Sequence, residues 1–162
     1  MKYTYSSIEV YVNEMYKSID IYHSRQLVIK TIAAGLGLTI IYAPMESTHH
    51  GNVIYLDNRI SAMEQWQDFG HELCHVLLHA GNQLVMPPQY RDYQEWKASN
   101  FGMHVCVPTF MLRSLGLSHN HRKAIWEIQR NFNVTHEFAE LRLEVFLRQK
   151  ENQTVYSRMI GF

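Results

Sequence analysis

Cysteine is scarce: only Cys74 and Cys106 occur among 162 residues, with no Cys-x-x-Cys spacing. Such a chain is not a disulfide-stapled scaffold, and its thiols fit a reducing cytosol. Net charge is missing too, because 15 Lys and Arg cancel 15 Asp and Glu. That removes the electrostatic case for non-specific binding to nucleic acid or a membrane surface. No apolar run approaches bilayer length, and Met1-Lys2-Tyr3-Thr4-Tyr5-Ser6 does not read as a signal peptide. Repeats, low-complexity segments and linkers are absent as well. The expectation is a soluble cytoplasmic protein. What is present, 46% hydrophobic and 19% charged residues, suffices for a real core in a single domain.

The stretch 67–81 carries the most chemistry, because it contains His71-Glu72-x-x-His75. On a helix, residues four apart stand one above the other, so both imidazoles can reach one metal ion. Glu72, about 100° round the helix, can reach a water on that metal. Zinc takes His nitrogen ligands and lowers the pKa of its water to about 7, leaving Glu72 to accept the proton. A chain with 10 His produces the pattern by chance roughly 0.04 times, so the context decides. Ser61-Ala62-Met63-Glu64 fits a capping box, and Gly81 stands where a left-handed cap would close the helix. His79 continues the i+4 row and is expected to support the ligands or the structure, not to bind metal.

A third ligand is expected from residues 92–106, where Ala98, Gly102, Val105 and Cys106 form a small and apolar stripe. Glu95 falls on that stripe, and an inward carboxylate is costly unless paired or metal-bound. Asp92, one turn earlier, is the alternative ligand. A salt bridge from Glu95 to Arg91 or Lys97 is the non-functional alternative. Ala98, Ser99 and Gly102 are small enough to let this helix approach the first one closely, which buries Cys74 and Cys106 as inert thiols.

Upstream, residues 7–22 and 25–34 have helical periodicity, with Gly35 closing the second helix. Residues 38–42 and 53–56 carry strand signals, with His49 and His50 between them as loop residues having room for a substrate-side role. An edge strand there could hold an extended substrate chain. Downstream, Pro108 opens a short helix ending at Gly116, Ser118 caps 119–132, and Thr135 caps 136–150. The corner at 132–135 resembles a helix-turn-helix. The last helix mixes Glu137, Glu140 and Glu144 with Arg142, Arg148 and Lys150, so the corner is read as packing, not DNA contact. The expected class is α+β: a short β-sheet, an HExxH active-site helix and a helical C-terminal half, a minimal zincin-like domain over 1–162. Its parts are N-terminal helices (1–35), sheet and metal-binding helices (36–107), C-terminal helices (108–150) and a tail (151–162) whose placement stays open.

His71-Glu72-Leu73-Cys74-His75-Val76-Leu77-Leu78-His79, followed by Glu95-x-x-Ala98-x-x-Phe101-Gly102-x-x-Val105-Cys106-Val107-Pro108, resembles the ImmA/IrrE metallopeptidases. Their pattern is similar to His-Glu-Leu-Gly-His-x-x-Leu-His, then Glu-x-x-Ala-Asn-x-Phe-Ala-x-x-Leu-Leu-x-Pro. The resemblance spans roughly residues 35–147. It implies that His71, His75 and Glu95 hold one Zn2+ or another divalent ion, and that Glu72 is the base. Departures are Cys74 for the usual Gly, Ser99 for Asn and Gly102 for Ala, none of which removes a ligand. It further implies a site-specific endopeptidase acting on a regulatory protein, often a helix-turn-helix repressor of a prophage or mobile element. The expected partner is therefore a DNA-binding repressor as protein substrate, with no direct contact to nucleic acid or membrane and the oligomeric state open. The rival is a non-catalytic metal-containing protein that inactivates its partner by complex formation. Intact Glu72 favours the enzyme, since gripping needs no base. An oxyanion partner is usual in such chemistry, and Tyr93, Tyr90 and His104 are candidates.

Overall fold

Among the residues that the computed structural model describes, 3–78 and 87–159, the first helix starts as its sequence predicts. In α1 (Ser7–Ser18), Ser6 N–H donates to the Glu9 carboxylate at 2.7 Å while Glu9 N–H donates to Ser6 Oγ at 3.4 Å. That reciprocal pair is a capping box. The helix stops short of the expected Tyr22, because Asp20 turns left-handed at φ 58°. The helix expected at 25–34 splits into a 3-10 turn (Ser24–Gln26) and α2 (Ile29–Gly35). Gly35 does not close it by a left-handed turn. A Cβ there would stand 2.8 Å from the Ile19 side chain, and the left-handed residue is Gly37 at φ 72°.

The sheet has three strands in the order β1 (Thr39–Ala43), β3 (Val53–Asp57), β2 (Thr48–His50). β1 runs parallel and β2 antiparallel to β3. The expectation of a loop at His49 and His50 is corrected here. Gly51, at φ 58°, supplies the tight turn that folds residues 48–50 back onto β3. His49 pairs with Ile54, which is fully buried. Directly opposed residues share a face of the sheet, so this register aims His49 at the helix covering that face.

That helix is α3 (Ala62–Leu78), capped as predicted: Ser61 N–H donates to Glu64 Oε2 at 2.9 Å and Glu64 N–H to Ser61 Oγ at 3.2 Å. His79 and Gly81 lie outside the described residues. α4 (Pro88–Cys106) starts earlier than residue 92, with Pro88 in the first turn, where its missing N–H costs nothing. The two helices touch backbone to backbone. A Cβ on Gly102 would stand 3.0 Å from His71 N, and one on Gly70 would stand 2.8 Å from Cys106 Sγ. Gly70 thus takes the part expected of Ser99, which is exposed. Both cysteines are buried in this interface and unbridged. Cys106 Sγ faces Trp66 O at 3.3 Å, whereas Cys74 Sγ faces Lys97 O at 3.9 Å, further along α3. Burial pushes the Cys74 thiol up to about 12 and raises Cys106 as well, which disfavours the reactive thiolate at both.

The C-terminal half comprises α5 (Thr109–Ser114), α6 (His121–Phe132) and α7 (His136–Met159). Asn120, not Ser118, caps α6 by accepting from Lys123 N–H at 3.0 Å. At the corner before α7, Phe132 and Val134 are buried around left-handed Asn133. The segment from 151 to 159 is not a separate tail: α7 runs on through it, and Gln153 Oε1 accepts from Thr4 N–H at 3.0 Å. No described helix is long and apolar enough to cross a membrane.

One charge of α7 that looks solvated in sequence is fully buried. Arg142 donates to Val107 O at 3.0 Å and to Thr109 Oγ1 at 2.7 Å, and Thr109 in turn donates to Glu9. Tyr3 and Gln149 also donate to Glu9, each at 2.8 Å. Burial pushes the Glu9 carboxyl up, but these hydrogen bonds overcome that and hold it below its ordinary range. Breaking a buried charge network by removing one partner costs roughly 3–5 kcal/mol. Arg142→Met is therefore expected to move the urea midpoint sharply downward at unchanged slope, with Glu9→Gln added to it recovering part of the loss. A midpoint within error of the parent would show that the network contributes nothing.

Candidate active site

α3 presents His71 and His75 one turn apart, and the close approach at Gly70 and Gly102 lets α4 bring Glu95 to them. His71 Nε2 stands 3.1 Å from Glu95 Oε2 and 3.1 Å from His75 Nε2, and His75 Nε2 stands 3.5 Å from Glu95 Oε1. All three donor atoms fall within 4.8 Å of one another. Two imidazole nitrogens and a carboxylate are lone-pair donors gathered round one point, although Glu95 is half-exposed and not turned into the core as its stripe predicted. Ligands about 2.0–2.1 Å from one tetrahedral ion stand roughly 3.3–3.4 Å apart, and the observed separations bracket that value. The donor set fits a divalent cation that accepts nitrogen and oxygen. Asp92, the alternative, is exposed and outside this group.

Glu72 is nearly buried beside the cluster. Burial raises its carboxyl above the usual range, and the hydrogen bond with His49 opposes that rise. His49 Nδ1 stands 2.7 Å from Glu72 Oε2, and its ring stacks on His75 at 5.2 Å with planes 7° apart. With Glu72 ionised, His49 Nδ1–H donates to it. His49 therefore belongs to the site, and a loop reading of its sequence undervalues it. The signal available was an adjacent His pair just ahead of Gly51, a turn residue that can zip a short edge strand.

The three oxyanion candidates do not gather here. Tyr90 and Tyr93 line the exposed side of α4, Tyr93 stacking on Trp96. His104 is buried elsewhere, where burial and nearby Arg142 push its pKa down to about 4.

An HExxH helix over a small sheet, with a carboxylate from the next helix brought to its His pair, defines the class: an α+β domain of metal-dependent peptidase type. Residues 25–144 match the peptidase M78 family, described as the IrrE N-terminal-like domain. The chain belongs to that family. It is 36% identical over 164 residues to the uncharacterized protein YqaB of Bacillus subtilis (strain 168), covering 99% of this chain and 95% of that one. It is 40% identical over 149 residues to the phage-like element PBSX protein XkdA of the same organism, covering 90% of this chain and 75% of XkdA.

Proposed function

We propose that this protein is a zinc-dependent, site-specific endopeptidase that cleaves a regulatory protein, a DNA-binding repressor of a mobile element. The observation that carries it is the convergence of His71, His75 and Glu95 with Glu72 hydrogen-bonded alongside. Its likeness to a protein of a phage-like element supports the mobile-element setting. His71, His75 and Glu95 hold the ion, which when bound supplies the Lewis acidity that acidifies water and polarises a peptide carbonyl. Glu72 accepts the proton of the attacking water and returns it to the leaving amine. His49 keeps the Glu72 carboxylate turned towards the cluster, and the near-burial of Glu72 keeps competing water away from that proton.

The test is co-expression of the chain with a helix-turn-helix repressor encoded beside it. Two defined fragments are expected with the wild-type chain and the intact repressor with Glu72→Gln. A stable complex without cleavage by the wild-type chain would instead favour the gripping protein.

His49 is a positioning residue in this scheme. His49→Ala is expected to lower kcat about 10–100-fold, with metal content and KM little changed. His49→Asn, whose amide nitrogen replaces Nδ1, should restore part of the rate. An unchanged kcat in His49→Ala removes the residue from the mechanism.

A further inference from the structure

We infer that the groove beside His71 is a specificity site for one large apolar side chain of the substrate, belonging to a residue next to the scissile bond. The inference rests on the protease reading above. The groove lies between α3, α4 and α7 and encloses about 610 Å³, a volume typical of sites that enclose a ligand group. His71 forms part of its wall. A peptide held at the His71–His75–Glu95 cluster therefore has a neighbouring side chain within reach of the groove.

The lining selects the occupant. Met103 comes from α4, and Phe138, Leu141 and Val145 come from α7. The last three are spaced i, i+3, i+7 and so share one stripe of that helix. The core is served by another stripe, since Ala139, Leu143 and Phe146 are the buried apolar residues there, beside buried Arg142. The groove stripe is only partly covered: Phe138 packs partly against the core, but Leu141 is 49% exposed, and Trp96, also in the lining, is 64% exposed. Covering such surface is favourable in proportion to the apolar area removed from water. Trp96 also ends an exposed aromatic row, stacked 6.2 Å from Tyr93, which lies tilted 6.5 Å from Tyr90. Trp and Tyr are the residue types over-represented where proteins bind tightly. The charged lining groups, Asp68 and Arg148, cancel, so the groove reads apolar bulk and not charge.

Two measurements with the full chain test this. Digestion of a proteome-derived peptide library by the zinc-loaded protein reads residue preference on each side of the cut. A preference of about 10- to 100-fold for Leu, Met, Phe or Trp over Ala is expected at one flanking position, falling towards parity in Leu141→Arg. Independently of cleavage, the Met103 methyl NMR signal is followed in Glu72→Gln protein. The titrants are an amidated peptide with a central Phe and its Ala counterpart. The signal should shift with the Phe peptide only, and only while Leu141 is intact. If Leu141→Arg does not fold, Val145→Glu blocks the same groove. A Met103 shift with no cleavage by the wild-type chain of either the library or the co-expressed repressor supports the groove and sinks the protease reading. Cleavage with no residue preference, or a Met103 signal that the Phe peptide leaves unmoved, overturns the groove assignment whatever the fate of the protease reading.

Discussion

Glu72→Gln is expected to abolish proteolysis while the fold and the metal content stay as they are. The replacement keeps the shape of a nearly buried side chain, so no cavity forms and the α3 packing is undisturbed. His49 Nδ1–H, which meets Oε2 at 2.7 Å in the parent, can still donate to the amide oxygen. What disappears is the basic oxygen, because an amide does not take up the proton of the attacking water. Loss of a positioned general base typically costs about 10²–10⁴-fold, the largest effect expected for any single change here. The measurement is fragment formation from the repressor, normalised to metal bound per chain. Cleavage near the parent rate in fully metallated Glu72→Gln would falsify the assignment of Glu72 as base.

The second large effect concerns the metal. Anything that binds only the folded state stabilises it by RT ln(1 + [L]/Kd), roughly 2.7 kcal/mol at a hundredfold excess over Kd. For a chain of this length that corresponds to a Tm increase of roughly 5–11 °C. Zn2+ is expected to raise Tm by that order, and a chelator to reverse it. His75→Ala should abolish the response, because the buried His75 nitrogen is one of three converging donors and two remaining ligands hold the ion far less tightly. Asp92→Ala should leave it intact, since Asp92 is exposed and outside the cluster. A zinc-dependent Tm shift of equal size in His75→Ala would show that the ion binds elsewhere. Calorimetric stoichiometry of one ion per chain is the matching check, and it separates loss of metal from loss of the base.

The parts of the fold legible in sequence were those whose physics is local. The capping box expected at Ser61–Glu64 closes within four residues, and the first helix begins at Ser7 as expected. Pro108 likewise marks the start of a short helix by its own backbone preference, standing immediately before α5. Where several nearby residues offered the same local signal, sequence chose less well. Ser118 and Asn120 are both good caps, and Asn120 is the one used. Gly35 and Gly37 could both end α2, and contact with Ile19 claims Gly35 for packing. α7 continues past Lys150 because Gln149 and Gln153 find partners in the N-terminal segment, a pairing invisible from composition.

By itself the sequence determined the HExxH face, since two His four residues apart must stand together on any helix that forms there. It also determined the small stripe on α4 that allows a second helix to come near. Only the tertiary structure decided which acidic residue meets the His pair, because Asp92 and Glu95 lie one turn apart on α4 and the choice depends on how far α4 is shifted along its axis at the Gly70–Gly102 contact. Only it brought in His49, whose place beside Glu72 follows from strand register across 23 residues of chain. Only it showed that Arg142 is a core residue, because it donates to Val107 and Thr109 and through Thr109 meets Glu9 of α1, two segments remote from it in sequence. Helical spacing constrains neighbours within a turn or two, whereas burial, register and helix placement are set by the whole packed chain.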